Sequence, residues 1–312
     1  MDTRSLPDHS GLSRIKLFLA LSRTPHGLLD MATPALAGVL CLGKLPPFKV
    51  IILGTITAFA GYTAVYALND VVDYRSDKEK FQGVSPSHSG HDLDAIYVRH
   101  PMAQRLLSFR DGLLWATGWA LLASLGAYLL NPVCLAVFLT GCVLEALYCL
   151  MLRISYLRII VSGAVKTLGG IAAVFAVHPD PSLGFVMVLF LWLFCWEIGG
   201  QNVPNDWADL QEDQQIAART LPLRLGLERA GLLIVGCLAL AIAMNMVLFK
   251  ISPAPLRFPH LLISLLAASY LLLAPAYRLY RTRTSLHAAA LFNKASYYPL
   301  TVFVVVIISL LL

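Results

Sequence analysis

Asparagine and aspartate recur in one arrangement at two places in this chain: Asn69, Asp70, Asp73 and Asp77, and again Asn205, Asp206, Asp209 and Asp213. Both copies read Asn-Asp-x-x-Asp-x-x-x-Asp and they lie 136 positions apart. The sequence holds only 13 Asp and 6 Asn, so chance duplication is a poor explanation. Steps of three and four put the carboxylates of each copy on one face of a helical turn. Like charges so placed repel unless a cation sits among them. Oxygen-only ligands suit a hard ion such as Mg2+, which is typically bound by one or two carboxylates together with substrate phosphates. The duplicated pattern therefore reads as a two-sided clamp for a metal-bound diphosphate.

The elements that must position this clamp are apolar. The chain is 58% hydrophobic and 13% charged, with a mean hydropathy of +0.70. Soluble domains carry about 25% charged residues, so the composition predicts an integral membrane protein. The fold class expected is all-α, a polytopic bundle of about nine transmembrane helices. Their approximate spans are 15–43, 47–70, 109–130, 132–152, 157–178, 182–202, 227–249, 258–280 and 288–312, each close to the ~20 residues a spanning helix needs. Asn131-Pro132 and His178-Pro179-Asp180-Pro181 have the composition of tight turns between antiparallel helices. The first dozen residues lack an apolar stretch, so no cleavable signal peptide is expected. No stretch reads as a separate soluble unit, and residues 1–312 are expected to form a single domain. Cys41, Cys134, Cys142, Cys149, Cys195 and Cys237 all lie in or beside apolar runs without a metal-type or CxxC spacing, which reads as buried packing rather than a disulfide framework.

Lys and Arg supply an orientation. With the N-terminus in the cytoplasm and nine alternating helices, 17 basic residues fall on the cytoplasmic face and 4 on the other, while Arg23, Lys166 and Lys294 lie inside helices. That bias follows the positive-inside rule, and it accounts for a net charge of +6 without invoking nucleic acid. Both Asp motifs then fall on the cytoplasmic face and the C-terminus on the opposite one. The two longest interior connections, 71–108 and 203–226, carry the motifs and are expected to be active-site loops in two pseudo-repeated halves.

Allylic diphosphates ionise readily once the leaving group is neutralised, and the carbocation left behind needs a dry apolar pocket. A helical bundle in lipid supplies one. The segment Tyr66-Ala67-Leu68-Asn69-Asp70-Val71-Val72-Asp73-Tyr74-Arg75-Ser76-Asp77 resembles the first signature of the UbiA superfamily of intramembrane prenyltransferases. Asn205 to Asp213, followed by Thr220-Leu221-Pro222-Leu223-Arg224-Leu225-Gly226, resembles the second. The helix count and charge topology agree, so the resemblance covers nearly the whole chain. It implies Mg2+-dependent transfer of a prenyl group from a polyprenyl diphosphate to a small lipophilic, aromatic or quinone-precursor acceptor.

By matching position, the resemblance implies metal ligands at Asp70, Asp73, Asp77, Asp206, Asp209 and Asp213, with Asp73 and Asp209 counted as catalytic. It implies diphosphate contacts from Arg23, Asn69, Tyr148, Arg153 and Asn205. Relatives often carry an Arg-Pro stretch soon after the first motif. Here Arg99-His100-Pro101 stands as its equivalent, displaced by an insertion of roughly 78–98. His88, His91, Asp92 and Asp94 in that insertion, with His100 beside it, fit no standard metal spacing and read as a polar loop. The segment Glu197-Ile198-Gly199-Gly200-Gln201-Asn202 is also unusual for the family and is expected to reshape the acceptor pocket.

Asp30, Glu145, Lys166 and Glu197 fall inside apolar helices. Each costs about 2.5–3.5 kcal/mol at the centre of a bilayer, so they should face the interior or a wet cavity. Lys166 paired with Glu145 is one arrangement that would relieve the cost. In another, one of the acids orients or deprotonates the acceptor. Acceptors other than aromatic rings, such as glycerol phosphate or sugar phosphate, remain compatible with the pattern, as does terpene cyclisation. A secondary transporter is the alternative outside the class. Its carboxylates would lie near the midplane, whereas these cluster at one face.

Overall fold

Nine helices among the described residues are long and apolar enough to cross a membrane: Thr24–Leu42, Phe48–Val72, Phe109–Leu130, Pro132–Arg153, Arg158–Val177, Leu183–Ala208, Leu227–Ile251, Phe258–Thr282 and Ser285–Leu311. They are numbered here as membrane helices 1 to 9. The computed structural model describes residues 13–83 and 93–312, and no strand occurs among them. The predicted His88, His91 and Asp92 lie outside the described residues.

Helix starts follow from side chains that satisfy the first free backbone N–H groups. Ser108 accepts from Asp111 N, Asn131 from Val133 N, Ser182 from Phe185 N and Thr284 from His287 N. Asn131 alone joins helices 3 and 4. Its extended backbone ends one helix, its side chain caps the next, and Pro132 opens that helix where no N–H is required.

Helix 1 differs from the continuous 15–43 expected. A separate helix, Arg14–Leu21, is capped at Ser22, and the chain turns into the membrane helix at Arg23, whose backbone is left-handed (φ 44°). A second interruption at Met31 divides the membrane helix into Thr24–Asp30 and Ala32–Leu42. Pro34 is the cause. It has no N–H for the carbonyl four residues back, which belongs to Asp30, and the Thr33 hydroxyl donates to that carbonyl instead (2.8 Å).

Helices 6 and 8 each widen into a π turn, at Glu197–Asn202 and Ser269–Leu273. Each π turn ends two residues before a proline, Pro204 and Pro275, so the wider register absorbs the missing hydrogen bond. Gly199 and Gly200 make the first of these turns packable. A Cβ on Gly199 would stand 3.0 Å from the Ile234 carbonyl of helix 7, and one on Gly200 would stand 2.9 Å from Ala295 of helix 9. Trp192, Trp196, Trp207 and Tyr298 fill the core that helices 6, 7 and 9 share. Large apolar side chains such as Leu121, Val143 and Leu266 point outward, as a lipid-facing surface requires.

Candidate active site

The two Asn-Asp motifs share a backbone as well as a spacing. Asn69 and Asp70 occupy the last turn of helix 2, which stops at Asp73. A new helix, Tyr74–Gly83, then carries Asp77. Asn205 and Asp206 occupy the last turn of helix 6, which stops at Asp209, and the helix Leu210–Gln215 carries Asp213. The central Asp has nearly the same conformation in both, φ −81°, ψ 0° and φ −91°, ψ 13°. Each motif is thus a helix, a break and a second helix, not one uninterrupted turn. The hydrogen bonds from Asp73 N to Asn69 O and from Asp209 N to Asn205 O keep the break tight.

All six Asp residues line one cavity of about 700 Å3, together with Arg23, Asn69, Tyr148 and Asn205. Cationic side chains stand among the acids. Arg23 donates to Asn69 Oδ1 (3.0 Å) and Asp70 Oδ1 (3.2 Å). His100 Nδ1 lies 3.2 Å from Asp70 and 2.9 Å from Asp77. Arg99 pairs with Asp209 and, at 3.3 Å, with Glu212. Lys80 pairs with Asp213 at 2.8 Å. Arg23 and His100 both have a left-handed backbone, φ 44° and 48°. Strained conformations of this kind concentrate at ligand sites.

The acids and their cations tune one another. Burial and the neighbouring Asp77 carboxylate push Asp73 up to about 6. For His100 burial disfavours the charged ring, but Asp77 and Asp70 outweigh it and hold the pKa at about 9. Burial likewise opposes the charge on Lys80, and Asp213 and Asp209 outweigh it, raising its pKa above the usual amine value. Ligand atoms of Asp70, Asp77 and His100 lie within 4.8 Å of one another. A hard cation prefers oxygen, and a protonated His100 acts there as a counter-charge, not a ligand. Asp206 Oδ2, buried and without a hydrogen-bond partner, is the kind of oxygen a Mg2+ ion would use. Two all-oxygen carboxylate sets facing one cavity fit that ion.

Arg153 departs from expectation. It is turned outward, 44% exposed, pairs with Glu79, and does not line the cavity. Arg158 lines it instead, five residues on at the start of helix 5. Its guanidinium lies 4.0 Å from the centre of the Tyr148 ring, and its buried Nε and Nη1 have no hydrogen-bond partner. Two basic residues flank the connection between helices 4 and 5, and only packing distinguishes them: Arg158 starts a helix whose face is buried, whereas Arg153 ends one at the surface.

The buried ionisable residues also pair otherwise than suggested. Lys166 lies 2.7 Å from Asp30 and 3.8 Å from Glu197, not against Glu145. Glu145 instead accepts from Asn69 Nδ2 at 2.7 Å, bracing the first motif from helix 4. His26, which nothing in the sequence singled out, sits with Nδ1 2.6 Å from Asp94. Asp94 also meets Arg23 at 3.4 Å. A turn of the long connection is thereby fastened over helix 1.

The profile of the UbiA prenyltransferase family matches residues 31–298. No curated protein shows significant sequence similarity to the chain. Among solved structures, the apo UbiA homologue of Aeropyrum pernix K1 is similar with a TM-score of 0.70 and 16% identity, over 95% of this chain and 99% of that one. A UbiA homologue from Archaeoglobus fulgidus bound to DMAPP and Mg2+ gives 0.65 and 15%, over 93% and 99%. Digeranylgeranylglyceryl phosphate synthase gives 0.67 and 14%, over 96% and 100%.

Proposed function

The chain belongs to the UbiA prenyltransferase family, and from that premise we propose that it transfers a prenyl group from a polyprenyl diphosphate to a small aromatic or quinone-precursor acceptor within the membrane. The observation that carries this reading is the convergence of two Asp motifs on one cavity whose deeper wall is apolar. Gly54, Ala58 and Gly61 of helix 2, Phe138 of helix 4, and Ala172 and Ala176 of helix 5 line that wall. Along helix 2 the lining runs from Asp70 to Val50, roughly 30 Å at 1.5 Å per residue. Such a groove accommodates an isoprenoid of several units.

Asp70, Asp73 and Asp77 on one side, and Asp206, Asp209 and Asp213 on the other, would hold Mg2+. The ion supplies Lewis-acid neutralisation of the leaving diphosphate. The protein's own cations do the rest of that work: Arg23 and Arg158 reach the cavity beside the two motifs, and Arg158 has donors to spare. Asn69, held by Glu145 and Arg23, fixes the last turn of helix 2, and Asn202 fixes Tyr148 by donating to its hydroxyl (2.8 Å). Apolar walls exclude water from the cation formed on ionisation. Clustering of Lys and Arg supports a cytoplasmic position for the motif-bearing face, from which a soluble diphosphate product would leave. The acceptor of a structural neighbour does not transfer by fold alone.

Purified protein in detergent, given geranylgeranyl diphosphate, Mg2+ and a panel of acceptors, should release diphosphate and yield prenylated products by mass spectrometry. EDTA should stop both and excess Mg2+ should restore them. Diphosphate release with a cyclised hydrocarbon and no acceptor consumed would replace transfer with cyclisation.

A further inference from the structure

Three buried acids line the cavity below the Asp motifs, and the structure ranks them. Glu145 is engaged by Asn69 at 2.7 Å. Asp30 Oδ2 is held by the Lys166 ammonium at 2.7 Å and the Tyr66 hydroxyl at 2.5 Å, and its Oδ1, without a hydrogen bond, has His26 at 3.8 Å, so a close cation stabilises its charge and weakens it as a base. Glu197 has no cation that close. Its Oε1 accepts from Ser162 at 2.8 Å, while its buried Oε2 accepts no hydrogen bond and has Lys166 no nearer than 3.8 Å. It opens the π turn Glu197–Asn202, and π turns inside α-helices gather at functional sites. Asn202 at the other end of that turn donates to Ser162 and to Tyr148, so the turn, Ser162 and the clamp residue Tyr148 form one hydrogen-bonded unit. Glu197 precedes Asp206 by nine residues, roughly 13 Å of helix. That is enough to span a diphosphate and reach its first allylic carbon.

We propose that Glu197 is the base that takes the acceptor's proton, and that the chamber around it receives an uncharged, hydroxyl-bearing acceptor. The assignment rests on the prenyl-transfer reading above. In the step it describes, the allylic carbon–oxygen bond breaks and its electron pair leaves on the diphosphate. The acceptor loses its hydroxyl proton to Glu197 Oε2, which later returns it to water; the ring carbon beside that hydroxyl supplies the pair for the new bond to the allylic carbon, and the proton on that carbon moves to the oxygen to restore the aromatic ring. Charge argues against an acidic acceptor. Among the described residues Lys166 is shared by Asp30 and Glu197, His26 faces Asp94, and Arg158 belongs to the diphosphate clamp, so a carboxylate in the chamber would meet carboxylates. Burying a charge without a partner is strongly unfavourable.

The test compares hydroquinone with its ring-carboxylated analogue gentisate, using geranylgeranyl diphosphate and Mg2+ with the purified full-length chain. The wild-type protein should prefer hydroquinone by about tenfold or more in kcat/KM, the scale expected for an unpaired buried charge. Glu197→Gln should lower kcat on hydroquinone by roughly a hundredfold or more, as loss of a general base does, with donor KM within about twofold. The same variant should lose less than about tenfold on para-nitrophenol, whose hydroxyl is already partly ionised near neutral pH and needs no base, because Gln also removes the carboxylate that repels the phenolate. Ser162→Ala, which removes one hydroxyl beside Glu197, should show the same acceptor pattern more weakly and keeps the test open should Glu197→Gln not fold. Equal losses on hydroquinone and para-nitrophenol, preference for gentisate, or diphosphate release with neither phenol prenylated would overturn the assignment. Absence of any Mg2+-dependent diphosphate release from the wild type would instead overturn the prenyl-transfer reading itself.

Discussion

The two Asp motifs have the same backbone but not the same company. Each breaks its helix at the central Asp and resumes in a short helix, yet among the described residues the Lys, Arg and His side chains that pair with the motif acids come from one half of the chain. His100 faces Asp70 and Asp77, Arg99 holds Asp209, Lys80 holds Asp213, and Arg23 holds Asp70. Lys80, Arg99 and His100 all belong to the 71–108 connection. In the 203–226 connection Arg219 turns away to the Ile154 carbonyl. A repeated Asp motif thus coexists with an unrepeated counter-charge loop. The first connection reaches across to neutralise the second motif, and so couples the two halves.

The largest effect expected from breaking this arrangement is at the shared element. Asp73→Ala and Asp209→Ala should each lower transfer by at least about a thousandfold, because removing either carboxylate leaves the diphosphate without one side of its clamp. Diphosphate release measured across a Mg2+ titration checks this. Full activity in either variant at saturating Mg2+ would mean that one motif suffices.

The unshared element should give a smaller and lopsided effect. Arg99→Gln should raise the donor KM about tenfold, on the scale of one lost charge-assisted contact, and should weaken Mg2+ dependence at the second motif. Arg219→Gln, in the loop that supplies no counter-charge to the site, should change KM less than about twofold. Equal effects would show that the second connection contributes as the first does.

His100 carries the same asymmetry into pH dependence. Its native pKa of about 9 lies above the ordinary 6.5, so the stability it adds is present in full below about pH 6.5 and is lost as pH rises through about 9. The groups facing it are Asp70, Asp77 and the edge of the Phe81 ring. In Mg2+-free detergent the melting temperature of the wild type should exceed that of His100→Asn by several degrees at pH 6, and the gap should close above pH 9. Asn tolerates the left-handed backbone at this position, so the gap reports charge and not strain. A gap that widens with pH would reverse the sign of this linkage.

Legibility in the sequence followed the range of the forces involved. Helix positions and the Asp motifs were readable because each is a local pattern: a hydropathy run, a turn such as Asn131-Pro132, or a spacing of three and four. The interruptions of helices 1 and 6 were half-visible, since Pro34 and Pro204 were present in the sequence. Which carbonyl would be rescued, and by Thr33, depended on side-chain reach. The counter-charges were the hidden part. That Lys80 meets Asp213, or Lys166 meets Asp30 and not Glu145, depends on contacts across 133 and 136 positions that no periodicity encodes. Burial separated Arg158 from Arg153 in the same way, although both are basic residues at the junction of helices 4 and 5.

Arg153 is where the smallest effect is expected. It pairs with Glu79 at the surface, 44% and 52% exposed, and stands outside the cavity. An exposed ion pair contributes about 0–1 kcal/mol, and salt screens it. Arg153→Ala should therefore leave kcat and the donor KM within about twofold, and any small loss of thermal stability should vanish at high ionic strength. Arg158→Gln, by contrast, removes buried guanidinium nitrogens that face the cavity with no other partner, and should raise the donor KM about tenfold or more at any salt concentration. The pair of variants separates two basic residues that differ little in sequence position. If Arg153→Ala proved the more damaging of the two, the 71–108 connection would have to close differently when donor binds, carrying Glu79 and Arg153 inward together. The asymmetry between the two motifs would then belong to the substrate-free protein alone.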